Sequence, residues 1–297
     1  MAQEQLNIAR VLIYSATAGY RHESIPAAVD ALKRLGPDSN IQFDSTEDRS
    51  KFTDDDLKVY DGLLFMMNTQ QVLDDDGTDA LQRYLNAGGN FIAVHSASDC
   101  LLHADFFGHE VGAYFDYHPL LQNATIVVLD KDHPSTSMLP ERWPVHDEIY
   151  NFKSDPRSVG AKVILSVDES SYTDDGTRKF DQGTPHPIAW YQEKGAGADP
   201  SSQLIGRSWY TALGHDVETW KNETFLAHVM GGVSWALASG TTRAFNADAS
   251  VGNNDSSTKP KPTSPRYMAV ALTLRKLEEV MVRHRQVTVL GVQGYHL

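Results

Sequence analysis

A chain of 297 residues, 41% hydrophobic and with a formal net charge of −13, is long enough for one large globular domain or two small ones. Its acidic balance argues against binding to nucleic acid or to an anionic membrane, both of which need a basic face. A single cysteine, Cys100, excludes an intrachain disulfide, and with no signal peptide or membrane-length apolar run the expected location is cytoplasmic.

Val11–Tyr14 is a short apolar run that predicts the first strand. Ile25, Ala28, Val29, Leu32 and Leu35 then recur at helical spacing, with Ser24 as the predicted N-cap and Gly36-Pro37 as the stop. Leu63–Met67 predicts a buried strand. Leu81, Tyr84 and Leu85 mark a helix closed by Gly88-Gly89, and Phe91–Val94 predicts the next strand. Asp54–Asp56 and Asp74–Asp76 read as solvated helix starts, where acidic residues meet the positive end of the helix dipole. Strands alternating with helices in this way imply right-handed crossovers and an α/β fold with a doubly wound, mostly parallel sheet.

The middle of the chain changes character. Thr125–Leu129, Val163–Val167 and Pro187–Tyr191 are strand-like but separated by turn-rich loops, which predicts an antiparallel extension. Arg207–Ala212 reads as a further strand, and Phe225, Leu226, Val229, Met230 and Val233 share one face of a last helix. These features predict a domain over residues 9–245, a polar flexible linker over 246–267, and a helical tail over 268–297.

Three of the twelve histidines follow strands: His22, His95 and His215. In a parallel sheet those strand ends share one edge, where ligands bind, so three distant imidazoles can meet in one cleft as acids, bases or metal ligands. The plainer reading is that each caps loop carbonyls. His95 ends the Gly88–Asp99 stretch, at the kind of strand-to-helix turn that elsewhere presents a nucleophilic Ser or Cys. Arg21 and His22 precede a helix N-terminus, where backbone N–H groups can hold an anionic or polar ligand. Within Asp147-Glu148-Ile149-Tyr150, Glu148 is placed to orient histidines or act as a base, and Tyr150 to bind a substrate hydroxyl. His118 is a further candidate, whereas Cys100, expected inside the helix after His95, reads as a structural thiol. Spaced histidines with a carboxylate can bind zinc, although the linear spacing does not single out such a site.

The segments YSATAGYRHESI (14–25), GGNFIAVHSASD (88–99), GAYFDYHP (112–119), HDEIYNF (146–152), PIAW (187–190) and YTALGHDVETW (210–220) together resemble the ThuA-like family of trehalose and related sugar utilisation. The resemblance covers roughly residues 9–240. It implies a fold like that of class I glutamine amidotransferases, in which a cysteine occupies the elbow and a later His-x-Glu supplies its base and orienting group. His95 and His215 stand at those two positions, and Val217 stands where the glutamate would be, so glutamine hydrolysis is not expected. The resemblance implies a small-molecule sugar, trehalose-derived or a keto-sugar, as the partner, and leaves a homo-oligomer open.

On this basis the expected catalytic residues are His95, His215 and Glu148. The expected substrate-binding residues are His22, Arg21, His118, Tyr150 and Asp99. A divalent metal such as zinc, if one is used, is expected on His22, His95 and His215. The alternative is a non-catalytic ligand-binding or regulatory module on the same scaffold. One departure from the family pattern is an insertion that separates Gly195-Ala196-Gly197 from Gly206-Arg207.

Overall fold

The computed structural model describes residues 8–252. In chain order these form β1 (Ala9–Tyr14), α1 (Ile25–Leu35), β2 (Ile41–Thr46), α2 (Asp54–Leu57), β3 (Gly62–Met66), β4 (Thr69–Gln70), α3 (Asp75–Asn86), β5 (Asn90–Val94) and β6 (Asp99–Cys100). There follow α4 (Asp105–Val111), β7 (Phe115–Tyr117), β8 (Gln122–Val128), β9 (Arg142–Asp147), β10 (Asn151–Phe152), β11 (Lys162–Val167), β12 (Pro187–Gln192), β13 (Ser208–Thr211) and α5 (Glu223–Leu237). The predicted tail and residues 253–267 of the predicted linker lie outside the described residues.

Nine strands form one sheet in the order β2-β1-β3-β5-β13-β12-β11-β8-β9. The first five are parallel and reproduce the doubly wound order with a switch point between β1 and β3. β3, β5 and β13 are buried throughout, as expected of parallel strands covered by helices on both faces. From β13 outward every pairing is antiparallel, so the predicted extension is present. After four such reversals β9 again points the same way as β13. The sheet's wing curls back, because Asp147 at the end of β9 accepts hydrogen bonds from the backbone N–H groups of Gly214 and His215 beyond β13.

Both predicted acidic helix starts are present. Asp74 caps α3 by accepting from Gly77 N, and Thr53 caps α2 by accepting from Asp56 N. Ser24 differs from expectation: its backbone is helical, and its hydroxyl makes no cap bond but donates to the His215 carbonyl at 2.6 Å. Cys100 lies in β6 rather than in a helix, fully buried, with Sγ donating to Ala97 O. Residues 246–252, inside the predicted linker, lie against the domain: Ala249 and Val251 are buried, and Gly252 N donates to Lys58 O.

Candidate functional site

His95 follows β5 directly and carries φ +57, a left-handed backbone that costs a non-glycine residue energy. Three contacts hold it. The Tyr210 hydroxyl donates to the His95 carbonyl at 2.9 Å, the Ser98 hydroxyl meets that tyrosine oxygen at 2.9 Å, and His95 Nδ1 lies 2.6 Å from the Ala212 carbonyl. A carbonyl can only accept, so Nδ1 carries a proton. Around Nε2 stand His22 Nε2 at 3.1 Å, the Tyr150 hydroxyl at 2.9 Å and Glu148 Oε2 at 3.5 Å.

His22 reaches this point from the loop after β1. That loop is pinned by Thr69, whose carbonyl takes Ala18 N and whose hydroxyl takes Gly19 N and donates to Tyr20 O. Burial, together with His95 and His215 beside it, lowers the His22 pKa to about 3, so the ring is neutral. Its Nδ1 has no hydrogen-bond partner among the described residues. His215 arrives from the loop after β13, positioned through its backbone by Asp147 and Ser24. Its Nδ1 is 3.1 Å from Glu148 Oε2 but not aligned for a hydrogen bond. The Glu148 carboxylate nevertheless raises the His215 pKa against the opposing effect of burial.

Glu148 lies at the centre of the group, with Oε1 also 3.4 Å from His118 Nε2. Burial alone would raise its carboxyl, but His215, His95 and His118 outweigh that and hold it well below the usual carboxylate range. Tyr150 is buried, its phenol pushed well above the ordinary value by burial and then by the Glu148 charge, so it stays a donor. Its ring stacks on His118, whose side chain is 34% exposed.

The structure therefore brings together His22, His95, His215, Glu148, His118 and Tyr150, and leaves two candidates outside. Arg21 turns away from its neighbour His22 and makes a two-pronged ion pair with Glu47, both contacts at 2.8 Å. Asp99 sits in β6 and accepts from Gln70 Nε2 at 3.1 Å, with no hydrogen bond or ion pair to the histidines. Burial raises its carboxyl. Cys100 is fully buried with Sγ donating to Ala97 O, and burial pushes its thiol well up, which makes it unreactive.

Asp147 is the functional residue that sequence reasoning passed over. It is 1% exposed and accepts from the backbone N–H groups of Glu148, Gly214 and His215, fixing two site residues from different strands relative to each other. Its signal was its place beside Glu148 at a strand end.

One potential metal-ligating atom from each of His22, His95, Glu148 and His215 lies within 4.8 Å of all the others. Residues 10–236 match the family model for ThuA, described as trehalose utilisation. The chain belongs to the ThuA family. Among solved structures, a ThuA-like protein from Bacteroides uniformis is similar at 22% identity and TM-score 0.61, with 77% of this chain and 91% of that chain covered. A ThuA-like protein from Parabacteroides merdae is similar at 15% identity and TM-score 0.57, with coverages of 78% and 90%. A cytoplasmic protein from Salmonella typhimurium shares the fold at 9% identity and TM-score 0.50, with coverages of 76% and 98%. No match was found among curated proteins. Among the described residues, this ThuA protein has no helix long and apolar enough to cross a membrane.

Proposed function

We propose that this ThuA protein acts on a small sugar, trehalose-derived or a keto-sugar, by activating one of its oxygens at the His95–His215–Glu148 cluster. The observation that carries the reading is convergence. His22, His95, His215 and Glu148 follow four separate strands, β1, β5, β13 and β9, and one ligand atom of each lies within 4.8 Å of the others. The family description supplies the substrate class.

In this reading His95 and His215 exchange protons with the sugar or hold a metal ion that polarises its oxygen, Glu148 orients them, and Tyr150 donates a hydrogen bond into the cluster. His118 contacts substrate from the exposed side. Cysteine-based amidotransfer does not enter, because His95 holds the elbow and the single cysteine is buried. Arg21 is held by Glu47 and takes no part.

The test combines calorimetric binding with product detection by NMR, using trehalose and its keto derivative. His95→Ala and His215→Ala are expected to lower turnover by about 100-fold or more, and Arg21→Ala to leave it unchanged. Turnover unaffected by either histidine substitution overturns the proposal. Sugar binding with no turnover of either compound supports instead the non-catalytic ligand-binding module.

A further inference from the structure

We propose that His22, His95, His215 and Glu148 form a mononuclear site for a divalent transition-metal ion of the zinc type, with Glu148 as the fourth ligand. This goes beyond the sugar reading and does not depend on which sugar, if any, is bound.

The argument starts from which atoms face one another. Because His95 Nδ1 is committed to the Ala212 carbonyl at 2.6 Å, its Nε2 is the ring atom that faces the cluster. Within 3.5 Å of it lie the Tyr150 hydroxyl, which an ion bound at that nitrogen would release, Glu148 Oε2, which is acceptor-only as a carboxylate, and a nitrogen of a second imidazole, His22. His215 Nδ1 stands 3.1 Å from that same carboxylate oxygen without the alignment of a hydrogen bond. Three ligand-type nitrogens and an anionic oxygen thus gather about one point, an arrangement that a positive ion would hold together.

The distances suit a metal ion. Tetrahedral zinc with bonds of about 2.0–2.1 Å separates its ligand atoms by about 3.3 Å. The observed His22–His95, His95–Glu148 and Glu148–His215 separations are 3.1, 3.5 and 3.1 Å, and the other three pairs lie within 4.8 Å, so binding would draw the four atoms slightly closer. The donor set is three imidazole nitrogens and one carboxylate oxygen, which favours zinc, cobalt(II) or iron(II) over magnesium or calcium.

The outer contacts are those a metal centre needs. His95 gives its other ring N–H to a backbone carbonyl, which fixes tautomer and ring plane. Asp147 ties the backbones of Glu148 and His215 together and adds a second buried carboxylate behind the site. Tyr150 and His118, both touching the ligand shell, lie beside it as hydrogen-bonding groups for an oxygen bound to the ion. The ligand class such a centre takes is a hydroxyl or carbonyl oxygen, bound as the ion expands its coordination.

The test uses the full-length, tag-free protein and no sugar. Elemental analysis after purification without chelator, followed by stripping with dipicolinate and titration with zinc and cobalt(II), is expected to give one equivalent of bound ion. Cobalt loading is expected to produce the intense visible bands of a low-symmetry tetrahedral ion, and zinc to raise the melting temperature of the stripped protein by several degrees. Glu148→Gln, which keeps the shape of the side chain, and His22→Ala are each expected to abolish stoichiometric binding. Comparison of their metal-free melts with that of the stripped wild type separates loss of a ligand from loss of the fold. A stripped protein that binds neither ion and shows no melting shift overturns the proposal, as does one equivalent retained by both variants. If the stripped protein rebinds neither ion yet turns over sugar at the full rate, the metal proposal falls and the sugar reading stands. If metal is bound as described but neither sugar binds, the sugar reading falls and the metal site stands.

Discussion

Glu110, in α4, is a carboxyl buried to 1% exposure that accepts a hydrogen bond from Gly197 N at 2.9 Å. Burial raises its pKa from 4.5 to about 7, with the Gly197 hydrogen bond opposing. It anchors the insertion that departs from the family pattern. A Cβ at Gly195 would come within 2.3 Å of its Oε1, and one at Gly197 within 2.4 Å of the Phe106 carbonyl, so the loop can lie this close only with glycine at both positions. Between pH 4.5 and pH 7 the folded protein holds the Glu110 proton and the unfolded chain releases it. Stability from this group is therefore complete below about 4.5, falls as pH rises through about 7, and is level above that. The whole change is worth about 3 kcal/mol. Glu110→Gln removes the titration while keeping an acceptor for Gly197. Urea denaturation of both proteins at pH 4.5 and pH 8 measures the effect, because other titrating groups cancel in the difference. The variant is expected to gain about 3 kcal/mol relative to the wild type on going from the lower to the higher pH. A difference between the two proteins that does not change with pH refutes the assignment.

Two further predictions concern the supports of the site. In Asp147→Asn an amide NH2 replaces one of two oxygens that together accept three backbone N–H groups. The expected loss is about 2 kcal/mol by chemical denaturation, together with weaker zinc binding in the titration described above; unchanged values for both would show that Asp147 positions nothing. Tyr210→Phe removes the hydroxyl shared by Ser98 and the His95 carbonyl. It is expected to cost about 1 kcal/mol and to shift the His95 ring resonances in a nitrogen-15 NMR spectrum, and an unmoved His95 spectrum would mean that the elbow does not depend on this tyrosine.

The parallel half of the fold was legible because its signals are local. Runs such as Leu63–Met67 and Phe91–Val94 are apolar throughout because both faces of the strand are covered. Two strands of the nine-stranded sheet escaped the reading, as did the short pairs β4–β6 and β7–β10. β2 is an edge strand with Asp44 and Ser45 in it, and β9 is the opposite edge and carries Pro144 and exposed Arg142. Edge strands tolerate polar residues and proline, so hydrophobic patterning does not mark them.

The meeting of His22, His95 and His215 followed from sequence, since each comes after a strand that ends on the same edge of a parallel sheet. Tertiary structure decided the rest. Arg21 and His22 are adjacent and of similar polarity, yet one turns to Glu47 on the surface and the other into the cluster, a choice set by the Thr69 contacts that pin the loop. Glu148 enters only because the antiparallel wing curls until Asp147 reaches the backbone beyond β13, a contact spanning 67 residues of chain. Local patterning specifies which strands form and where they end. Which side chains then share one buried point depends on sheet curvature and long-range hydrogen bonds, and those exist only in the folded chain.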